Sequence, residues 1–277
     1  MILKKIAVLL TCYNRKSNTV DCLTSLYNCF LPEGFSFEVY LVDDGSTDGT
    51  AKAINALFPA VKIIQGNGNL FWNRGMRLAW EAARNANNYD GYLWLNDDTY
   101  LFESALNTML TAIKETECRS IIVGTTIATK EKSITYGGFI FPDKLLAPNT
   151  TLQECDFFNG NCVFVPETVY AEVGNLDGIF HHALGDIDYG LRASKKGIKS
   201  YIVNDTVGYC EAHEANPICF NAAYNLVKRF KHLYSPLGNN PLTFCIFDNR
   251  HFGFFSAVKH FFTIHLRVLF PFLWNQK

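Results

Sequence analysis

Apolar residues in the first 125 positions follow two alternating rhythms. Short apolar runs at residues 6–11, 37–42, 61–64 and 91–95 predict strands. Between them lie stretches with helical spacing at 19–30, 50–58, 73–86 and 102–115; in the first, Val20, Leu23, Leu26, Tyr27 and Phe30 share one face. This strand–helix alternation predicts a doubly wound α/β layout, a mostly parallel sheet with helices on both faces. The rhythm then changes. Residues 120–125, 134–141 and 157–165 are strand-like without long helices between them, which predicts a small mixed or antiparallel extension. A helix at 185–196 and a strand at 198–203 follow.

The last part of the chain has another pattern. Between Phe254 and Trp274, Ser256, Lys259, His260, Thr263 and Arg267 fall on one helical face, while Phe255, Phe261, Phe262, Leu266, Leu269 and Phe270 cover much of the rest. A basic polar stripe on an apolar helix suits a bilayer interface, or a helix packed on a core or on a second subunit of a homodimer. Charge sharpens the contrast. The net charge is −1, yet from Pro217 onward seven Lys/Arg face a single acid, Asp248. A basic tail behind an acidic body favours an anionic lipid surface. It does not favour nucleic acid, because the tail lacks interleaved stacking residues. The expected division is a body at 1–215 and a helical tail at 216–277.

Other features exclude classes. The nine cysteines are scattered, odd in number and without a Cys-x-x-Cys pair, which speaks against a disulfide framework or zinc ribbon and for a reducing compartment. Lys4-Lys5 and the apolar run at 6–10 imitate a signal peptide, but the run is short and Tyr13-Asn14-Arg15 stands where a cleavage site belongs. A buried first strand is the expectation. No uncharged apolar run of transmembrane length occurs.

The candidate chemistry lies just beyond the strands. Asp43-Asp44 ends one apolar run and Asp97-Asp98 another. Carboxylates there cost desolvation and add nothing to a core, whereas ligands of open α/β sheets bind beyond the strands' carboxyl ends. Turn formation and helix capping explain Asp48; one cap suffices, so the adjacent pair calls for another use. Thr11 and Tyr13, with Arg15, stand in the first such turn and can hold a nucleobase. Asn96, Asp97 and Asp98 offer the oxygens that Mg²⁺ and Mn²⁺ prefer, although a capped turn also uses them. Asp186 opens a helix as a cap or as a general base, with Asp188 or Arg192 to hold it. Gly66-x-Gly68 is not a dinucleotide fingerprint, because position 71 is Phe. The same loop carries Asn67; Trp72 there can stack on a sugar or belong to the core, and Arg74 can reach a phosphate or serve the fold. Asn159 can bind sugar hydroxyls.

Four pieces in this order, Thr11-x-Tyr13-Asn14-Arg15, the run from Val42 to Gly49, Asn96-Asp97-Asp98, and the run from Gly185 to Arg192 followed by Lys195-Lys196-Gly197, resemble glycosyltransferase family 2, of GT-A fold, over residues 4–215. The resemblance implies that Thr11, Tyr13 and Asp44 contact the base, Asp97 the ribose, and Asp98 a divalent Mn²⁺ or Mg²⁺ at the diphosphate. It implies Asp186 as catalytic base, and His213 stands where some members have a late metal-binding His. Asn96 departs from the family's first Asp and removes one charge from the metal. The implied activity is inverting transfer of a sugar from a UDP-, dTDP- or GDP-linked donor to a glycan or lipid-linked glycan. The implied setting is bacterial surface polysaccharide or lipopolysaccharide synthesis, on the cytoplasmic face of the inner membrane. Rival readings are an inactive sugar-nucleotide-binding scaffold and a sugar nucleotidyltransferase; the latter's glycine-rich phosphate loop is missing from 12–16.

Overall fold

A computed structural model describes residues 4–212 and 217–273. The chain forms two compact units, one of residues 1–178 with 185–212, the other of 179–184 with 213–277. The first unit opens with β1 (Lys4–Cys12), α1 (Lys16–Tyr27), β2 (Phe35–Asp43), α2 (Thr50–Leu57), β3 (Lys62–Gln65), α3 (Phe71–Ala86) and β4 (Gly91–Leu95). It continues through β5 (Tyr100–Leu101), α4 (Ala105–Glu115), β6 (Ile121–Ile127), β7 (Ile134–Tyr136), β8 (Gly138–Ile140), β9 (Lys144–Leu145), β10 (Gln153–Cys155), β11 (Phe157–Phe158) and β12 (Cys162–Pro166). It closes with α5 (Glu167–Val173), α6 (Gly185–Ser194) and β13 (Ser200–Tyr209).

The main sheet runs in the order β10-β13-β6-β12-β4-β1-β2-β3. β1 pairs in parallel with both β2 and β4, and β2 with β3. From β1 the chain therefore steps outward to β3, then returns across the sheet to β4. That reversal opens a crevice between β1 and β4, at the carboxyl ends of both strands. The expected extension takes two forms. β12 enters the sheet itself, antiparallel between β4 and β6, while β11, β8 and β9 make a separate three-stranded sheet. The antiparallel run of β12 has a consequence: its first residue, Cys162, lies opposite Leu95, the last of β4. Residues 159–161 are thereby delivered to the crevice.

Alternation along β1 divides the core. Ile6, Val8 and Leu10 pack under α1, α2 and α4 with Leu23, Leu26, Ile54 and Leu106. Ala7 and Leu9 face α3, α5 and α6 with Met76, Trp80, Val169 and Tyr189. This follows from the period of two in a strand buried on both sides. On the second face the buried rings of Trp80, Trp94 and Tyr189 meet at centroid separations of 5.1–5.6 Å, within the range that favours edge-to-face contact. The nine cysteines are unpaired.

The second unit contains α7 (Leu226–Leu233), α8 (Pro241–His251) and α9 (Phe254–Leu269), with short 3₁₀ turns at Ile218–Phe220 and Pro271–Leu273. Its small core consists of Cys219, Phe220, Leu233, Ile264 and Val268. Of the expected polar stripe of α9, Lys259 and Arg267 are exposed and Ser256, His260 and Thr263 are half-buried. His260, half-buried, places its Nδ1 2.6 Å from Oδ2 of buried Asp248. The outward face carries Phe255 (89% exposed), Val258, Phe262 (61%), Leu266 and Leu269. Asp248 lies on α8 and needs a partner out of water, and His260 of α9 supplies it. No helix among the described residues is long and apolar enough to cross a membrane.

Candidate functional site

The loops after β1, β2, β3 and β4 meet at the crevice, and hydrogen bonds stitch them together. Asn14, in the left-handed region (φ 51°), accepts from the Thr47 amide at 2.7 Å and donates its own amide to Ser46 Oγ at 2.9 Å. Asp43 Oδ1 accepts from the Ser46 amide. Asp44 does more. Its Oδ1 accepts from Gly68 N at 2.8 Å, and its Oδ2 from Leu70 N and Phe71 N at 2.8 and 3.0 Å. Phe71 has φ 56°, unfavourable for a bulky residue, at the first turn of α3. A buried carboxylate taking three amide donors fixes this turn. Each carboxylate of the adjacent pair thus holds a different piece of backbone, Asp43 its own turn and Asp44 the 68–71 turn.

Trp72 follows this turn. Its indole Nε1 donates to Asn96 Oδ1 at 2.6 Å, and its ring lies edge-on to Trp94, centroids 6.2 Å apart. Beside the ring runs Gly160, where a methyl group would come within 2.4 Å of the indole and 3.3 Å of the Asp186 Cβ. Only glycine allows that approach. The Gly160 amide donates to Asp186 Oδ2 at 2.8 Å, and Asp186 Oδ1 accepts from Ile187 N at 2.9 Å. A continuous chain of contacts thus runs from Asp44 through the 68–72 turn to Asn96, Gly160 and Asp186.

Asp97 and Asp98 follow Asn96 directly, and both are buried. Arg15 bridges them: its Nη2 lies 2.7 Å from Asp98 Oδ2 and its Nε 3.5 Å from Asp97 Oδ2. Thr19 Oγ1 lies 3.5 Å from the same Asp97 oxygen, and Cys210 Sγ 3.7 Å from Asp98 Oδ1. Burial pushes the Asp97 carboxyl up to about 7, Arg15 opposing and Asp98 adding to the rise. Asp186 is also raised, by burial, against the pull of its two amide donors. Both acids are held where the charged form is costly, a frequent property of functional sites.

The profile of glycosyl transferase family 2 matches residues 7–168, more than half of the chain. The chain belongs to glycosyl transferase family 2. No curated protein matches the sequence. Among solved structures, residues 1–349 of S. aureus TarS superpose with a TM-score of 0.57 at 14% identity, covering 97% of this chain and 87% of that one. The same region of TarS in complex with UDP-GlcNAc gives 0.59 at 14% identity, with the same coverage. The mannosyltransferase PcManGT from Pyrobaculum calidifontis, in complex with GDP-Man and Mn²⁺, gives 0.57 at 15% identity over 96% of this chain and 71% of that one. These likenesses show the fold, the GT-A-like sheet with flanking helices.

In this family 2 chain, the structure joins Arg15, Trp72, Asn96, Asp97, Asp98 and Asp186 in one contact network. Asn159 stands next to Gly160, with its Oδ1 buried and accepting no hydrogen bond among the described residues. Other candidates are employed differently. Thr11 Oγ1 lies under α3, so close that a methyl group on Gly75 would be 2.3 Å away. Arg74 Nε donates to the Gly178 carbonyl at 2.8 Å, holding the 176–178 turn with Asn73 and Arg77. Asn67 is exposed and accepts from the Asn69 amide. Tyr13 is 54% exposed. Arg192 binds Asp188 at 2.8 Å and the carbonyls of Val173 and Asn175, which locks α6 in place. His213 lies outside the described residues.

Sequence reasoning missed Thr19, Gly160 and Cys210. Thr19 sits in an amphipathic helix and Cys210 closes an apolar strand, so neither has a local signature; Gly160, between two asparagines, offered at most a hint of a tight turn. The role of Asp44 yields a first expectation. Asp44→Ala removes the carboxylate that accepts from three backbone amides and should lower stability by about 3 kcal/mol, read as a lower urea midpoint, and should also weaken nucleotide binding. An unchanged midpoint would show that the 68–71 turn does not depend on this carboxylate.

Proposed function

We propose that this protein is an inverting glycosyltransferase that moves a sugar from a nucleoside-diphosphate donor to a hydroxyl of a glycan or lipid-linked glycan acceptor. The observation that carries this reading is the contact network from Arg15, Asp97 and Asp98 through Asn96 and Trp72 to Asp186, at the strand ends beside the β1–β4 crevice. The UDP-GlcNAc and GDP-Man complexes of the structural neighbours support such a donor. Tyr13 offers an exposed ring for the base, with Thr11 behind it and Asp43 and Asp44 shaping the adjoining loops. Asp97 stands for the ribose hydroxyls. Asn159, its Oδ1 unpaired among the described residues, stands for a sugar hydroxyl.

Asp186 is the base of this reaction. Its carboxylate takes the acceptor proton as the hydroxyl oxygen attacks the anomeric carbon from the side opposite the leaving diphosphate, which inverts that centre. Two amide hydrogen bonds, from Gly160 and Ile187, fix its aim. The paired hard oxygens of Asp97 and Asp98 fit Mg²⁺ or Mn²⁺, ions that take one or two carboxylates and complete their shell from substrate phosphates. No group of three His, Cys, Asp or Glu suited to a metal occurs among the described residues; the donor diphosphate would have to supply the remaining ligands. Bound there, the ion would act as a Lewis acid that offsets charge on the departing diphosphate.

The setting we propose is bacterial surface polysaccharide or lipopolysaccharide synthesis at the cytoplasmic face of the inner membrane. The outward α9 face, apolar along Phe255, Val258, Phe262, Leu266 and Leu269, supports it. So does the surplus of seven basic residues over one acid from Pro217 onward. Anionic lipid satisfies both features at once.

Two experiments test these readings. Asp186→Asn should keep nucleotide binding by thermal shift while turnover falls by about 10³-fold. Because burial raises the Asp186 pKa, the base is protonated over more of the acidic range, so turnover in the parent enzyme should rise with pH through a midpoint above that of an ordinary aspartate. Near-normal turnover of Asp186→Asn would remove the base assignment. For the tail, the parent protein should sediment with phosphatidylcholine vesicles containing phosphatidylglycerol and stay unbound without it; the double variant Phe255→Ser, Phe262→Ser should lose sedimentation. A parent that is dimeric by light scattering, and monomeric in that variant with no vesicle binding in either, would assign the face to a second copy instead.

A further inference from the structure

Arg15 holds a position that the transfer reaction does not by itself explain. It caps α1, its carbonyl accepting both the amide and the hydroxyl of Thr19 at 2.9 Å, so its backbone is anchored while the side chain reaches across to the carboxylates after β4. Its side chain is 35% exposed, against 7% for Asp97 and 11% for Asp98. One edge of the guanidinium therefore faces two desolvated acids and the rest remains within reach of solvent. We propose that Arg15 is a resident counter-ion of the acidic pair, and that it makes a divalent cation and the donor's diphosphate bind as a unit.

The argument is one of charge. Two adjacent buried carboxylates without a partner would repel each other and pay the full cost of leaving water. Arg15 offsets this when the site holds no donor, and it contacts the Asp98 oxygen that a cation would also seek. A divalent ion arriving alone would meet the positive charge of Arg15 on the Asp98 oxygen, and the trio of Arg15, Asp97 and Asp98 carries one net negative charge. A nucleoside diphosphate changes the balance. Its oxygens can accept from the guanidinium's planar fork of donors and ligate the ion at the same time, so the diphosphate compensates both cations. Metal and nucleotide should then strengthen each other's binding, and linkage requires the effect to be reciprocal. Asn96 points the same way: with an amide where a further acid would add charge, and with that amide's oxygen engaged by Trp72, the site has little negative charge to spare for an ion alone.

This inference rests on the cation-assisted nucleotide site proposed above, so the test separates the two. MnCl₂ is titrated into the full-length protein, with and without UDP or GDP, and free Mn²⁺ is followed by electron paramagnetic resonance. The parent should bind Mn²⁺ weakly alone and much more tightly with nucleotide. Arg15→Gln should bind Mn²⁺ alone about tenfold more tightly than the parent and lose most of the coupling to nucleotide. Arg15→Lys, which keeps the charge, should stay close to the parent, and adding Asp98→Asn to Arg15→Gln should abolish the gain. If Arg15→Gln folds by circular dichroism yet binds Mn²⁺ alone no more tightly than the parent, Arg15 is not the competing charge and the proposal is overturned. Should Arg15→Gln not fold, strong Mn²⁺ binding by the parent without nucleotide overturns it equally. A parent that binds UDP or GDP with no dependence on Mn²⁺ removes the cation reading itself, and this inference with it.

Discussion

A carboxylate taken out of water must be met by donors or by opposite charge, and this requirement organises the site. Asp44 is met by three backbone amides of the 68–71 turn, Asp97 and Asp98 by Arg15, and Asp186 by the amides of Gly160 and Ile187. Each solution draws a different loop toward the strand ends. The loops are therefore not independent appendages of a sheet. They are held to one another because each acid has at least one partner in another segment of the chain.

The sheet makes this economical. Reversal of strand order beside β1 leaves two carboxyl ends diverging, and the antiparallel β12 returns residues 159–161 to the same rim. Close packing supplies the rest. Gly160 passes the Trp72 ring at a distance no side chain would permit, and Gly75 lets α3 settle on Thr11. The same closeness that builds the core thus sets the spacing between Trp72 and Asp186. The buried rings of Trp80, Trp94 and Tyr189 pack together on the same face, and Trp94 meets the Trp72 ring.

The C-terminal unit is governed by the opposite imbalance. It has a small core and a surplus of positive charge, and the one acid from Pro217 onward, Asp248, is paired with His260. α9 buries Ala257, Ile264 and Val268, while Phe255 and Phe262 lie outside the core of the unit.

Much was already settled by local pattern. Strand and helix periodicities gave the alternating order of the first half, since a period of two and one of 3.6 cannot be exchanged. Asp43, Asp44, Asp97, Asp98 and Asp186 stood out because acids at strand and helix ends have no place in a core. What local pattern could not decide was pairing. That β12 runs backwards inside the sheet, that Asp44 serves Phe71 rather than its own turn, that Arg15 reaches Asp98 across 83 positions, and that Thr19 and Cys210 line the same acids are all matters of long-range geometry. So is the outward face of α9. Helical spacing names the residues that share a side, but only the partners that fill space around a helix determine which side meets water.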